Sequence, residues 1–147
     1  MYRRILIATD GSPLSDQAIE SGLSLAALCK AGVIVVKVVP LYSRSYLEGG
    51  DYTSLDDVKR IEDQWVHSAQ QQLADIAATG AARGVTVKTS VMKSDLVAET
   101  LIDVAKEHDC DLIVMASHGR KGLKRLLLGS ETQHVLTHST VPVLVLR

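Results

Sequence analysis

Between Ser117 and Ser130 the chain carries Arg120, Lys121, Lys124 and Arg125 with no acid among them, punctuated by Gly119, Gly122 and Gly129. Four cations without a compensating carboxylate favour an anionic partner, although each taken singly suits a solvated surface equally well. Glycine lets backbone N–H groups approach a ligand with no Cβ in the way, and Gly119 and Gly122 are expected to turn through positive φ. Ser130 then opens a helix, whose first amides and positive dipole end attract an anion. The loop follows directly on the apolar run Leu112 to Met115, so this chemistry would lie just beyond a buried strand. It is a phosphate-holding kind of loop, but it has neither G-x-x-x-x-G-K-[ST] nor a G-x-G-x-x-G after the first strand.

A second position of interest stands earlier. Ala8-Thr9-Asp10-Gly11-Ser12 puts a carboxylate immediately past the first apolar run; the plain alternative is a turn in which Asp10 bonds its own backbone. Apart from Asp10, no residue makes a convincing general base. His118 lies in the glycine loop, where a lone histidine more often caps or hydrogen-bonds than accepts a proton. His67, His108, His134 and His138 fall on helical segments without convergent ligand spacing, and no metal site is assigned to them.

Positioning these groups requires a scaffold, and the pattern supplies one. Ile5 to Ala8 is a short, almost wholly apolar run, the mark of a strand covered on both faces. Ser12 caps a helix with Pro13 at its first position, and Leu14, Ala18, Gly22, Leu25, Ala26 and Cys29 form its apolar face. Val33 to Val39 reads as the second strand, Pro40 to Thr53 as a mobile surface loop, and Leu55 to Arg83 as a long helix containing Trp65. Val85 to Val91 alternates and reads as a third strand near an edge. Ser94 or Asp95 would cap the next helix, with Leu96, Val97, Leu101, Ile102 and Ala105 inward. Leu112 to Ala116 is the fourth strand, Ser130 to His138 the last helix and Val143 to Leu146 the fifth strand. Strands alternating with helices imply right-handed crossovers and a parallel α/β sandwich, with ligands held beyond the carboxyl ends of the strands where their order reverses.

Composition agrees. A chain of 147 residues is sized for one domain spanning 1–147. With 46% apolar residues, 3% aromatics and no Phe, the core must be Val, Ile, Leu and Ala, which suits helices layered on a sheet. A net charge of -1 argues against nucleic acid or a membrane surface as a general partner. Cys29 and Cys110 have neither metal nor redox spacing and read as small core residues. No apolar run approaches the roughly 18 residues of a membrane span, and the N-terminus lacks a signal-peptide core, so a cytoplasmic location is expected.

These residues resemble the universal stress protein (UspA-like) family along the whole chain. Its first-strand signature corresponds to Ile5 through Ser12. The G-x2-G-x9-G-[ST] motif of its ATP-binding branch corresponds to Ala116, Gly119, Gly129 and Ser130, with the nine residues from Arg120 to Leu128 kept. The resemblance implies a Rossmann-like, three-layer fold (adenine nucleotide alpha hydrolase-like) with five parallel strands in the order 3-2-1-4-5. It further implies an ATP site. Ala8, Thr9 and Asp10 would lie at the ribose and phosphates or a bound Mg²⁺ (or Mn²⁺), with Asp10 as the metal ligand. Val38 would meet the adenine, and Met115 and Ala116 would border the nucleoside. His118, Gly119, Arg120, Gly129, Ser130 and Glu131 would belong to the phosphate loop, with backbone amides and the Ser130 hydroxyl turned to the phosphates. The strand Val143–Leu146 would pair with its twin in a homodimer.

Two positions depart from the family pattern. Ala116 replaces the first glycine, and Ser94-Asp95-Leu96 stands where many relatives have Gly-x-Pro. The resulting expectation is an ATP-binding stress-response protein whose nucleotide occupancy alters shape or partner choice, with at most slow ATP hydrolysis. The alternative is a non-nucleotide interaction module of the same fold acting through dimerisation. A phospho-accepting receiver domain would want clustered acids after the first strand and a Lys near the fifth, and the chain offers neither.

Overall fold

The computed structural model describes residues 1–41, 55–119 and 128–147. The expected loop from residue 42 onward, and with it Arg120, Lys121, Gly122, Lys124 and Arg125, lies outside these residues. The strands are β1 (Arg4–Ala8), β2 (Gly32–Val39), β3 (Val87–Lys93), β4 (Leu112–Ala116) and β5 (Val143–Leu146). The helices are α1 (Pro13–Cys29), α2 (Leu55–Ala82), α3 (Val97–Glu107) and α4 (Ser130–His138). All strand pairs are parallel, in the order β3-β2-β1-β4-β5. The order reverses between β1 and β4, as the alternating pattern and the resemblance require.

Side-chain alternation splits the core into two layers. Ile5, Ile7, Val33, Val35, Leu112 and Val114 face α1 and α2, where Leu23, Ala26 and Leu73 meet them. Leu6, Ile34, Val36, Ile113 and Met115 face α3 and α4, against Ala98, Leu101, Ala105 and Val135. Both faces of β1 are therefore covered, which explains its unbroken apolar run.

Ser12 Oγ accepts the Ser15 N–H at 3.2 Å and starts α1. The buried face of α1 is Ser15, Ala18, Ile19, Gly22, Leu23 and Ala26; Ala18, Gly22 and Ala26 are as expected, while Leu14, Leu25 and Cys29 are half-buried at its margin. The cause is local: Thr9 Oγ1 and Ser15 Oγ share a buried hydrogen bond of 3.1 Å that turns Ser15 inward, and the small side chains on that face let α1 lie close to β1 and β4. Cys29 is thus partly exposed, whereas Cys110 is buried and burial pushes its thiol up to about 11, so it stays protonated and inert at neutral pH.

The third strand begins two residues later than the alternation suggested, at Val87 rather than Val85. The Val85 N–H instead donates to Gly80 O at 3.0 Å, closing the end of α2, and Gly84 turns there with φ 74°. The start of α3 also differs. Its N-cap is Leu96, without a side-chain bond; Ser94 Oγ accepts from Leu96 N–H and Asp95 Oδ1 from Leu41 N–H, both at 3.0 Å.

At the opposite edge of the sheet Asp111 accepts the N–H groups of Arg3 and Arg4, at 2.9 to 3.1 Å, tying the start of β1 to the start of β4. Partial burial alone would raise its pKa, but the bonds from Arg3 and Arg4 outweigh burial and hold the carboxyl below its ordinary value. A lowered folded pKa means that this stabilisation is complete above the unfolded value of about 4 and is lost as pH falls through the folded one. Asp111→Ala should therefore cost about 1 kcal/mol at pH 7, the low end for a charged acceptor open to solvent. In urea titrations the gap from the wild type should close toward pH 3.

Candidate functional site

Two loops meet at the carboxyl edge where the strand order reverses. Past β1, Gly11 takes φ 78° and the Ser12 N–H donates to Asp10 Oδ1 at 2.9 Å, so the carboxylate is tethered by its own turn. The turn is further braced from below by Thr9, buried, whose Oγ1 accepts the Gly11 N–H at 3.2 Å. Past β4, Ser117 is buried, donates its N–H to Leu146 O at 2.7 Å, and places its Oγ 3.1 Å from His118 Nδ1.

Gly119 carries the sharpest restraint. A Cβ built there would collide with Asp10 Oδ2. The expectation of a positive φ at Gly119 is not met: among the described glycines the left-handed conformation falls at Gly11 and Gly84. A Cβ at 119 would force the Asp10 carboxylate to shift, because the β4 loop passes directly against the carboxylate of the β1 loop. The two segments singled out separately in the sequence are thus one site.

The last helix contributes its N-terminus. Gly129 is the N-cap of α4 and offers no side chain; its own N–H donates to Ser117 O at 2.7 Å. The amides of Ser130, Glu131 and Thr132 have no carbonyl one turn back within the helix to receive them. Thr132, buried, sends its Oγ1 to Ala116 O at 3.0 Å and anchors this helix start to the end of β4. Ala116 itself is buried and in register with Leu146.

On the α3/α4 face of the sheet, the same edge presents an apolar wall. Ala8 and Val38 are half-buried and Met115 is buried, and all three belong to the core layer on that side. Met92, in register with Val38, and Val97, the first residue of α3, pack against the same layer and are also half-buried. Neither was singled out from the sequence. Met92 lies beyond the expected end of the third strand at Val91, because the strand runs two residues further, to Lys93, and so brings Met92 beside Val38.

The Glu131 side chain does something the sequence did not suggest. Its Oε2 accepts the Ala98 N–H in the first turn of α3 at 2.9 Å. Among the described residues, no group of three or more His, Cys, Asp or Glu side chains is arranged to hold a metal ion. Asp10 is the acid at the junction, and a hard cation there would complete its shell from a ligand's own oxygens. Residue by residue, Ala8, Thr9, Asp10, Val38, Met115, Ala116, His118, Gly119, Gly129, Ser130 and Glu131 all lie on this one edge of the sheet, at or just past the ends of β1, β2 and β4 or at the start of α4. Arg120 lies outside the described residues.

Fold and site together define a doubly wound parallel α/β protein with a loop-and-helix cradle at its switch point. The model of the universal stress protein family matches residues 1–147, and the chain belongs to that family. Universal stress protein YxiE of Bacillus subtilis is 30% identical over 149 residues, covering 100% of both chains. The solved structure of MJ0577 from Methanocaldococcus jannaschii superposes with a TM-score of 0.84 at 27% identity, covering 99% of this chain and 96% of that one. A universal stress protein solved in complex with cAMP shares the fold, with a TM-score of 0.71 at 22% identity over 99% of this chain and 97% of its own. No helix among the described residues is long and apolar enough to cross a membrane.

Proposed function

We propose that this chain is an adenine-nucleotide-binding regulatory protein that takes ATP with Mg²⁺ (or Mn²⁺) at the β1/β4 junction. One observation carries the reading: Asp10 and Gly119 are brought together so closely that a Cβ at 119 would displace the Asp10 carboxylate. A backbone kept bare beside a carboxylate, next to a helix start with no side-chain cap, suits a phosphate chain bridged to an acid by a divalent cation. Ala8, Val38, Met92, Met115 and Val97 offer the apolar slot that a planar base needs. That a protein of the same fold was solved with cAMP supports an adenine nucleotide as the ligand class here.

Within this reading, amides of Ser130 and Glu131 and the Ser130 hydroxyl receive phosphate oxygens, and Asp10 holds the cation. Gly129 acts by leaving its helix end uncapped, since its own amide is engaged by Ser117. His118 lies beside Ser117 Oγ, and among the described residues no acid is hydrogen-bonded to it to orient it as a general base. Nucleotide occupancy, rather than turnover, is the functional output. The protein purified from cells and then denatured should release an adenine nucleotide; release of none, together with no heat on titrating ATP and Mg²⁺, would refute the reading.

The second reading, an interaction module without nucleotide, is favoured by Ala116 in place of the motif's first glycine. The same titration decides between them.

We further propose a homodimer through β5. It is an edge strand paired only with β4, and it exposes Leu144 at 38% with Val143 and Val145 half-buried. Such an edge is a template for pairing with another copy. Sedimentation should give twice the chain mass of 15.9 kDa, and Val145→Asp should shift it to the monomer. A wild-type monomer at all concentrations would contradict this.

A further inference from the structure

Glu131 is the second residue of α4, where an acidic side chain ordinarily serves the amides of its own helix. Here its Oε2 reaches across to the Ala98 N–H of α3. That helix has no side-chain cap of its own, because Leu96 stands at its N-cap while Ser94 and Asp95 are engaged in the preceding loop. We propose that Glu131 is a positioning residue that links the two halves of the nucleotide site. By holding the first turn of α3 it sets Val97 against the apolar slot, and by turning away from α4 it leaves the Ser130 and Glu131 amides to phosphate. The inference rests on the adenine-nucleotide reading above.

The topology makes the link possible. Both helices begin at the carboxyl edge of the sheet and pack against each other, so one side chain spans from the phosphate end to the base end. A turn further along α4, at the exposed rim of the α3/α4 seam, His134 Nε2 and Glu99 Oε1 stand 3.9 Å apart. The Glu131 bond is the shorter of the two and the one nearer the slot. A carboxylate committed to an α3 amide also keeps its negative charge directed away from the incoming phosphates, which would otherwise be repelled by an acid folded over their own amides.

The test separates the two halves of the ligand. Adenosine and inorganic tripolyphosphate are titrated independently into the wild type, Glu131→Ala and Glu131→Gln. Alanine removes the acceptor; glutamine keeps an oxygen for the Ala98 N–H but no charge. Glu131→Ala should weaken adenosine about fivefold, the equivalent of a lost helix cap, although Glu131 lies at the phosphate end. Tripolyphosphate, which meets a backbone amide that every variant keeps, should lose less affinity than adenosine. Glu131→Gln should recover most of the adenosine affinity. Amide hydrogen exchange at Ala98 should speed up in the alanine variant and not in the glutamine variant, a readout that needs no ligand.

Unchanged adenosine affinity in Glu131→Ala, or an equal loss for both probes in both variants, overturns the positioning role while leaving the nucleotide reading in place. A wild type that binds neither probe nor ATP overturns the nucleotide reading, and the positioning role with it.

Discussion

Replacing Gly119 with Val should lower the proposed affinity for ATP by roughly ten- to a hundredfold and leave the fold intact. The Cβ of any residue at 119 falls on Asp10 Oδ2. Swinging the Asp10 side chain aside would ordinarily be cheap, but its Oδ1 is bonded to the Ser12 N–H, so the carboxylate moves only by breaking its own turn. Either that turn or the β4 loop must yield. Each outcome removes a charge-assisted contact to the ligand worth about 1.5–3 kcal/mol, which is the stated loss in affinity. Gly119 is exposed and the strain is confined to the two loops, so the unfolding free energy from urea titration should fall by no more than about 1 kcal/mol, the worth of the one turn bond. Gly119→Ala should act in the same direction, because it places the same Cβ. Unchanged ATP affinity in both variants, measured by calorimetry, would remove the convergence of the two loops from the account of binding.

The largest stability effect is expected at Gly22, on the buried face of α1. A Cβ there would lie 2.5 Å from Ile7 Cδ1 and 2.8 Å from Ile7 Cγ1, with Val114 Cγ1 at 3.6 Å. Ile7 is fully buried in the central strand, and close-packed neighbours leave it little room to turn away. Gly22→Val should cost about 2–3 kcal/mol by overpacking, and Gly22→Ala much less, because a gain in helix propensity of about 1 kcal/mol offsets part of the strain. Gly32→Ala is the control: nothing lies within 4 Å of its Cβ position, so it should be neutral or slightly stabilising. Equal effects at 22 and 32 in urea denaturation would contradict the packing described for α1.

The architecture was legible because strand and helix periods alternate cleanly from Ile5 to Leu146, and strands covered on both faces, such as β1 and β4, read as unbroken apolar runs. Where boundaries slipped, a backbone bond outside the pattern was responsible. Val85 is apolar and in phase with the strand, yet its N–H closes α2. On α1 the buried face keeps Ala18, Gly22 and Ala26 but takes in Ser15, a polar residue whose burial depends on its hydrogen bond to Thr9 and so has no apolar signature.

At the site, the two loops are legible in the residue pattern but the reason for their composition is not. Gly119 looked like a conformational glycine, and its true constraint comes from Asp10, a residue distant in the chain and adjacent in space only because β1 and β4 pair. Glu131 illustrates the same limit. Nothing local distinguishes an acid that serves its own helix from one that caps a neighbour, since the choice depends on how α3 and α4 dock. Val97 reads as an ordinary inward residue and Met92 falls past the expected strand end, because their half-exposure at the carboxyl edge is set by strand length and helix start, which a sequence pattern locates only to within a few residues.

The most direct measurement is a titration of isotopically labelled protein with ATP and Mg²⁺, followed through the backbone amide resonances. Saturable shifts are expected at Gly119, Ser130, Glu131 and Thr132, with smaller ones at Ala8, Val38 and Met92 as the base enters its slot. A spectrum in which those amides stay fixed at saturating nucleotide, or in which the shifts gather on the face of α1 and α2 instead, would contradict the account.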